Sequence, residues 1–170
     1  MIRVLLTNHV LSGALIGALT QRPAAAFAIG AASHFALDAV PHWGDWASTR
    51  HFLRVAVPDG LISLAAMGAI AALAPAERRP AVVAGMAGAA LPDIEKPTTL
   101  WLGWSPFPAA VDRFHVRIQR EAGGRAHVEV LAAGAFAVGA LLALRRRQTT
   151  AGGRPAAYRG GRAGRPGRRG

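Results

Sequence analysis

The sequence predicts an all-α protein: an up-and-down bundle of about five helices, embedded in a membrane and followed by a disordered Arg/Gly-rich C-terminal tail. Three observations predict it. Apolar residues make up 52% of the 170-residue chain, and they fall in separate runs punctuated by proline and arginine. No stretch shows the period-two alternation with Val, Ile and aromatic enrichment that strands need. The apolar fraction is supplied largely by Ala, with 20 Gly and only 6% aromatic residues, so helices can approach closely, as in membrane bundles. Because each run is only marginally long for a span of about 20 residues, a soluble Ala-rich bundle is the competing reading.

The first helix spans residues 5–19, with Thr7 or Asn8 as a possible cap, and stops at Gln21-Arg22-Pro23, since the residue before proline avoids the helical region. The second covers 24–40 and ends at Pro41. A Trp-rich polar loop, 42–51, leads to a third helix over 52–73, with Pro58 near its first turn or kinking it. After a connection at 74–79, a fourth helix starts on Pro80 and ends at Leu91, before Pro92-Asp93. It is short for a span. Residues 94–111 hold three prolines with Trp101 and Trp104, an irregular interfacial segment. Residues 112–121 form a brief amphipathic helix and 127–144 a fifth long one, closed by Arg145-Arg146-Arg147. The division is thus a helical membrane domain over 1–147 and a basic tail over 148–170, whose Gly/Arg/Pro/Ala composition cannot bury a core.

The formal charge is +11, from 20 Lys+Arg against 9 Asp+Glu, which would ordinarily suggest a nucleic acid or an anionic surface as partner. Nine of the arginines follow the last apolar run, so the folded part is only mildly basic. The tail, with Arg159-Gly160-Gly161-Arg162, resembles segments that touch RNA nonspecifically; contact with anionic membrane lipids is the favoured reading, and nucleic acid enters only weakly. It also tilts its end of the bundle toward the cytoplasm. No cleavable signal stands out at the N-terminus, so membrane insertion, in a bacterial inner membrane, would use the helices themselves. With no cysteine in the chain, thiolate chemistry and sulfur-ligated zinc are excluded. Any metal site must be built from His and carboxylates.

If neighbouring helices are antiparallel, the start of helix one, the end of two, the start of three, the end of four and the start of five share one end. His9, His34, Asp38, His42, Asp59, Asp93 and His115 all fall toward it. The opposite end has Gln21, Arg22, Glu77, Arg78 and Arg79, with neither His nor Asp. His34 and Asp38 are one turn apart on one face, and His42 continues the line if the helix survives Pro41. Asp38 and Asp59 interrupt apolar stretches, where an ionised carboxylate is costly unless a cation or water-filled cavity compensates it; a metal does so most economically. The bland alternatives are an interfacial His9, a helix-terminating Asp93 and an Asp38 paired with Arg50 or Arg54. His51 and His127 read as structural, Trp43, Trp46, Trp101 and Trp104 as interfacial anchors, and Gly13, Gly17, Gly85 and Gly88 as packing positions.

The segments T-N-H-V-L-S-G, S-H-F-A-L-D-A-V-P-H-W, L-P-D-I-E and F-H-V-R-I-Q resemble a bacterial family of small membrane proteins described as metal-dependent hydrolases. That family is in turn distantly similar to the helical zinc-dependent phospholipase C group. The resemblance covers residues 7–119. It implies His9, His34, Asp38, Asp93 and His115 as metal ligands, with His42 and Asp59 next in line. Where such proteins often have a further Asp and His, this chain has Glu95-Lys96.

A bound divalent ion, zinc first and manganese second, would lower the pKa of a coordinated water and polarise a phosphoryl or acyl oxygen. Asp59 or Glu95 would then take the proton. The expected function is a membrane-associated metal-dependent hydrolase of phosphoester or lipid-like substrates. The alternative is a non-enzymatic helical membrane protein whose His/Asp cluster is structural or handles ions.

Overall fold

In a computed structural model, residues 5–44 and 48–151 are described. The helices are α1 (Leu6–Thr20), α2 (Pro23–Asp38), α3 (Thr49–Leu73), α4 (Arg79–Ala90), the single turn α5 (Glu95–Pro97), α6 (Ala109–Ile118) and α7 (Ala126–Ala151). The expected proline punctuation holds. Gln21 turns the chain with φ 60° and its N–H returns to the Gly17 carbonyl, after which Pro23 occupies the first turn of α2. Ser48 caps α3, its hydroxyl accepting from the His51 N–H at 3.2 Å.

Several boundaries differ from expectation, among them the start of α3 at Thr49 rather than 52. α2 stops at Asp38, two residues early, because Val40 precedes Pro41 and avoids the helical region; His42 therefore leaves the His34/Asp38 line. The segment after α4 is not irregular throughout. It runs on as a 3-10 turn (Leu91–Ile94), α5 and a π-helical turn (Thr98–Leu102). α6 begins at Ala109 rather than 112, directly after Pro108. α7 continues through Gln148 to Ala151, past the expected end of the helical domain. The rest of the tail, 152–170, and Trp46 lie outside the described residues.

A pair of two-residue strands, β1 (His42–Trp43) and β2 (Glu121–Ala122), joins in parallel with His42 opposite Glu121. It ties the loop after α2 to the loop after α6, where the sequence predicts a loop over 42–51 and a helix continuing to 121; α6 ends instead at Ile118.

Packing centres on α4, which lies against α1 and α2. A Cβ on Gly13 or Gly85 would strike the other's carbonyl oxygen, one on Gly17 would strike Ala81, and one on Gly88 would strike Phe27. The four glycines read as packing positions are thus what allows backbone contact. Val10, Leu11, Ala14, Val82 and Met86 form the core there, and Ile70 of α3 with Ala140 and Leu144 of α7 extend it.

α3 and α7 have a different surface. Leu61, Ile62, Leu64, Val130, Leu131 and Val138 are all exposed. Among the described residues, Thr49–Leu73 and Ala126–Arg145 are the two helical stretches long and apolar enough to cross a membrane. α1, α2 and α4, at 15, 16 and 12 residues, fall short of the roughly 20 that a span requires.

Candidate metal centre

The bundle end on which the His and Asp residues were expected exists as a physical place because α1 is fixed there by α3. Asp59 accepts from the Leu6 N–H at 2.6 Å, the Thr7 N–H at 3.4 Å and the Thr7 hydroxyl at 2.5 Å, and Ser63 lies 3.1 Å from that hydroxyl. A carboxylate on the first N–H groups of a helix satisfies donors that have no intrahelical partner. Asp59 therefore caps α1 from a distance of 53 residues in sequence. Its oxygens are occupied by that task, and it is not gathered with the histidines.

One turn into α1, His9 is buried and its ring stacks on His34, with centroids 3.8 Å apart. His34 and Asp38 share a face of α2, as their spacing requires, and His34 Nε2 lies 3.3 Å from Asp38 Oδ2. The other nitrogen of His34, Nδ1, is 2.7 Å from the Ala89 carbonyl at the end of α4. A carbonyl can only accept, so Nδ1 carries a proton, while Nε2 faces the group. This is the outer-shell arrangement that orients metal-ligating histidines. Burial lowers the His34 pKa, but the Asp38 and Asp93 carboxylates outweigh it and raise it, so Nε2 would give up a proton on binding a cation.

α6 supplies His115, whose Nε2 is 2.7 Å from Asp38 Oδ2 and 3.0 Å from His34 Nε2. Asp93, from the 3-10 turn after α4, places Oδ1 3.8 Å from His34 Nε2 and 3.9 Å from His115 Nε2. His9 Nε2 closes the group at 3.4 Å from Asp38 Oδ1. Two overlapping sets, His9/His34/Asp93 and His34/Asp38/His115, each bring three ligand atoms within 4.8 Å of one another. Every residue that the family resemblance put first is in one of them.

These residues fit a divalent cation. Ligands held about 2.0–2.1 Å from a single ion in a tetrahedron stand roughly 3.3 Å apart, and the Asp38, His34 and His115 atoms are 2.7 to 3.3 Å apart. Both ring nitrogens of His9 and Asp93 Oδ1 are buried without a hydrogen-bond partner. Unsatisfied buried polar atoms are costly, and two of these, His9 Nε2 and Asp93 Oδ1, lie beside the other ligand atoms. For Asp38, burial alone would raise the pKa, but contacts with His115, His34 and His9 outweigh it and hold the carboxyl well below the usual carboxylate range. Burial first, and then the neighbouring His34, push the His9 pKa down. An ionised Asp38 and a neutral His9 suit metal ligation, and His34, whose pKa is raised, is the ligand that would release a proton on binding.

The remaining candidates lie at the margin. Glu95 Oε1 is 3.6 Å from His115 Nδ1 and also pairs closely with Lys96 Nζ. It stands behind His115 rather than among the ligand atoms. His42 is buried in β1, with Nδ1 2.8 Å from the Val40 carbonyl and Nε2 without a partner. It belongs to neither set. The interfacial reading of Trp101 and Trp104 agrees with their exposure.

Two supporting residues, Gln119 and Glu129, were not singled out from the sequence. Gln119 Nε2 reaches Asp38 Oδ2 and His115 Nε2, each at 3.4 Å. Glu129, buried in the first turn of α7, accepts from Asn8 Nδ2 at 2.5 Å and from the Trp43 N–H at 3.2 Å. It thereby ties α7 and β1 to the turn of α1 that carries His9. A lone acid in an apolar helix was the available signal for Glu129.

No family model, no curated protein and no solved structure matches the chain.

Proposed function

We propose that this protein is a membrane-associated, metal-dependent hydrolase of phosphoester or lipid-like substrates, related to the bacterial family its motifs resemble. The single observation that carries the reading is the convergence of His9, His34, Asp38, Asp93 and His115, from four separate segments, onto one buried point with unpartnered ligand atoms. Zinc suits a site of imidazoles and carboxylates, and manganese is the second candidate. The exposed apolar faces of α3 and α7 support residence in a membrane, which in a bacterium would be the inner one.

His34, Asp38 and His115 would hold the ion, with His9 and Asp93 completing its surroundings. When bound, it would supply Lewis acidity and a water of lowered pKa. The chain's own part is positional. Ala89 fixes the His34 tautomer, Gln119 steadies Asp38 and His115, and Glu95 is the carboxylate placed to take up a proton beside His115.

Burial favours a second reading. His34, Asp38 and His115 are each no more than 1% exposed, and closed sites are typical of structural metals. The test has two stages. Purified protein should contain zinc or manganese in stoichiometric amount, and a His34→Ala, Asp38→Ala double variant should lose it; unchanged metal content rejects the site. Detergent-solubilised protein should then cleave bis-p-nitrophenyl phosphate or p-nitrophenyl acetate only with metal present. A His9→Ala, Asp93→Ala variant should lose at least tenfold of that rate. Metal without turnover of any reporter would leave the structural reading in place of the enzyme.

A further inference from the structure

Two overlapping ligand sets raise the question of how many ions the centre takes. Both contain His34, and His34 has one nitrogen to give. Nδ1 is held by the Ala89 carbonyl at 2.7 Å, and Nε2 is the atom 3.3 Å from Asp38 Oδ2 and 3.8 Å from Asp93 Oδ1. A ring nitrogen has a single lone pair and ligates a single ion. Whichever set takes His34, the other keeps only His9 with Asp93 or Asp38 with His115, fewer protein ligands than zinc sites use. Asp38 can lend its second oxygen to restore a third, since Oδ1 lies 3.4 Å from His9 Nε2. The count of ligands is therefore not decisive by itself, and charge becomes the deciding quantity.

Asp38 and Asp93 bring two negative charges among the ligand atoms, which one divalent ion balances. Glu95 would add a third from behind His115, its Oε1 being 3.6 Å from His115 Nδ1. That charge is already answered, because Lys96 Nζ is in close contact with the same oxygen. Glu95 and Lys96 are each only 8% exposed, so water screens them little and a lone charge of either sign there would be costly. Asp59, the carboxylate of α3, is set against the N–H groups at the start of α1. One divalent ion, Asp38, Asp93 and the Glu95/Lys96 pair thus carry no net charge together. A second divalent ion would leave two positive charges uncompensated in a buried place.

We propose that Lys96 is a built-in counter-cation: the centre holds one divalent ion, and the Glu95/Lys96 pair sets its affinity by charge. This deepens the reading of the centre and rests on its binding a metal, but on none of the chemistry that would follow. Neither residue ligates the ion, so both are positioning residues that act past His115. Opposite effects follow for two adjacent side chains. Loss of the Lys96 ammonium leaves an unanswered carboxylate behind His115 and draws a cation in. Loss of the Glu95 charge leaves an unanswered ammonium and repels it. A pair that only held the turn after Asp93 in place would weaken metal binding whichever partner was removed.

The test counts and weighs the ion in the full-length protein in neutral detergent. Chelator-stripped protein is dialysed against excess zinc and desalted, its metal is measured by plasma mass spectrometry, and affinity is read by competition with a chromophoric chelator. Wild type should retain one zinc per chain. Glu95→Gln should bind zinc about tenfold more weakly, within the range that outer-shell changes produce. Lys96→Gln should bind it more tightly, by roughly threefold or more, as the removal of a nearby like charge requires. The Glu95→Gln, Lys96→Gln double variant, with no charge left over, should return to within about threefold of wild type, and Lys96→Arg should match wild type. Two zinc ions per wild-type chain, or weaker binding in a folded Lys96→Gln, would overturn the proposal. If Lys96→Gln does not fold, the double variant decides, since affinity equal to that of Glu95→Gln would leave Lys96 no part. Wild-type protein without zinc refutes the centre itself, whereas one zinc held with an affinity indifferent to all these changes refutes the counter-cation alone.

Discussion

Asp59 and Asp38 show how differently two carboxylates in apolar helices can be compensated. Asp38 is surrounded by imidazoles, whereas Asp59 is taken up by the exposed N–H groups at the start of α1. From the sequence they looked alike, since both interrupt apolar runs and both need compensation. Spacing separated neither, because the partners of Asp59 lie 52 and 53 residues away. Hydrogen bonds to a charged group contribute about 1.5–3 kcal/mol each when buried and less when water competes. Asp59→Ala should therefore lower stability by about 2–3 kcal/mol in thermal unfolding of the detergent-solubilised protein. Its metal content should stay at the wild-type value; stoichiometric loss of metal in a folded variant would return Asp59 to the ligand set.

Helices α1, α2 and α4 owe their approach to the absence of side chains at a few positions, and this is a property of elements rather than of single residues. Gly85 is met by the Gly13 carbonyl, while Gly60 in α3 and Gly134 in α7 have nothing within 4 Å of a built Cβ. Gly85→Ala should force α1 and α4 apart, cost about 1–3 kcal/mol as overpacking does, and reduce metal affinity, since α1 carries His9 and α4 leads into Asp93. Gly60→Ala and Gly134→Ala should be neutral or stabilising by up to about 1 kcal/mol, from helix propensity alone. Equal melting temperatures for all three variants would remove the close-packing account. The long helices were legible because proline marks most of their ends and apolar residues dominate each run. The β1–β2 pair was not, because a strand of two residues has no period to detect and its partner lies beyond 70 intervening residues. The helical turns after Pro92 were obscured by the three prolines that made the segment look irregular.

At the scale of the molecule, antiparallel order was enough to collect the candidate ligands at one end, and the structure puts five of them in contact. What order could not supply is the depth at which each side chain stops, which is why His42 and Asp59 were grouped with the rest. The same architecture divides the surface: a site built mainly on short helices, flanked by two long ones with exposed leucine and valine. In water, α3 and α7 would each leave an apolar face of the kind soluble monomers rarely tolerate. In a bilayer that surface faces its proper solvent, and the backbone groups of both helices are satisfied internally. Expressed in bacteria, the protein should stay with the membrane pellet through alkaline carbonate extraction. Placing an arginine near the middle of either exposed face, as Leu64→Arg or Val138→Arg, should cost about 2.5–3.5 kcal/mol of insertion free energy. The membrane-retained fraction should fall accordingly, whereas Arg54→Lys should leave it unchanged. Recovery of the wild-type protein in the carbonate supernatant would show that the apolar faces of α3 and α7 are covered by protein rather than lipid.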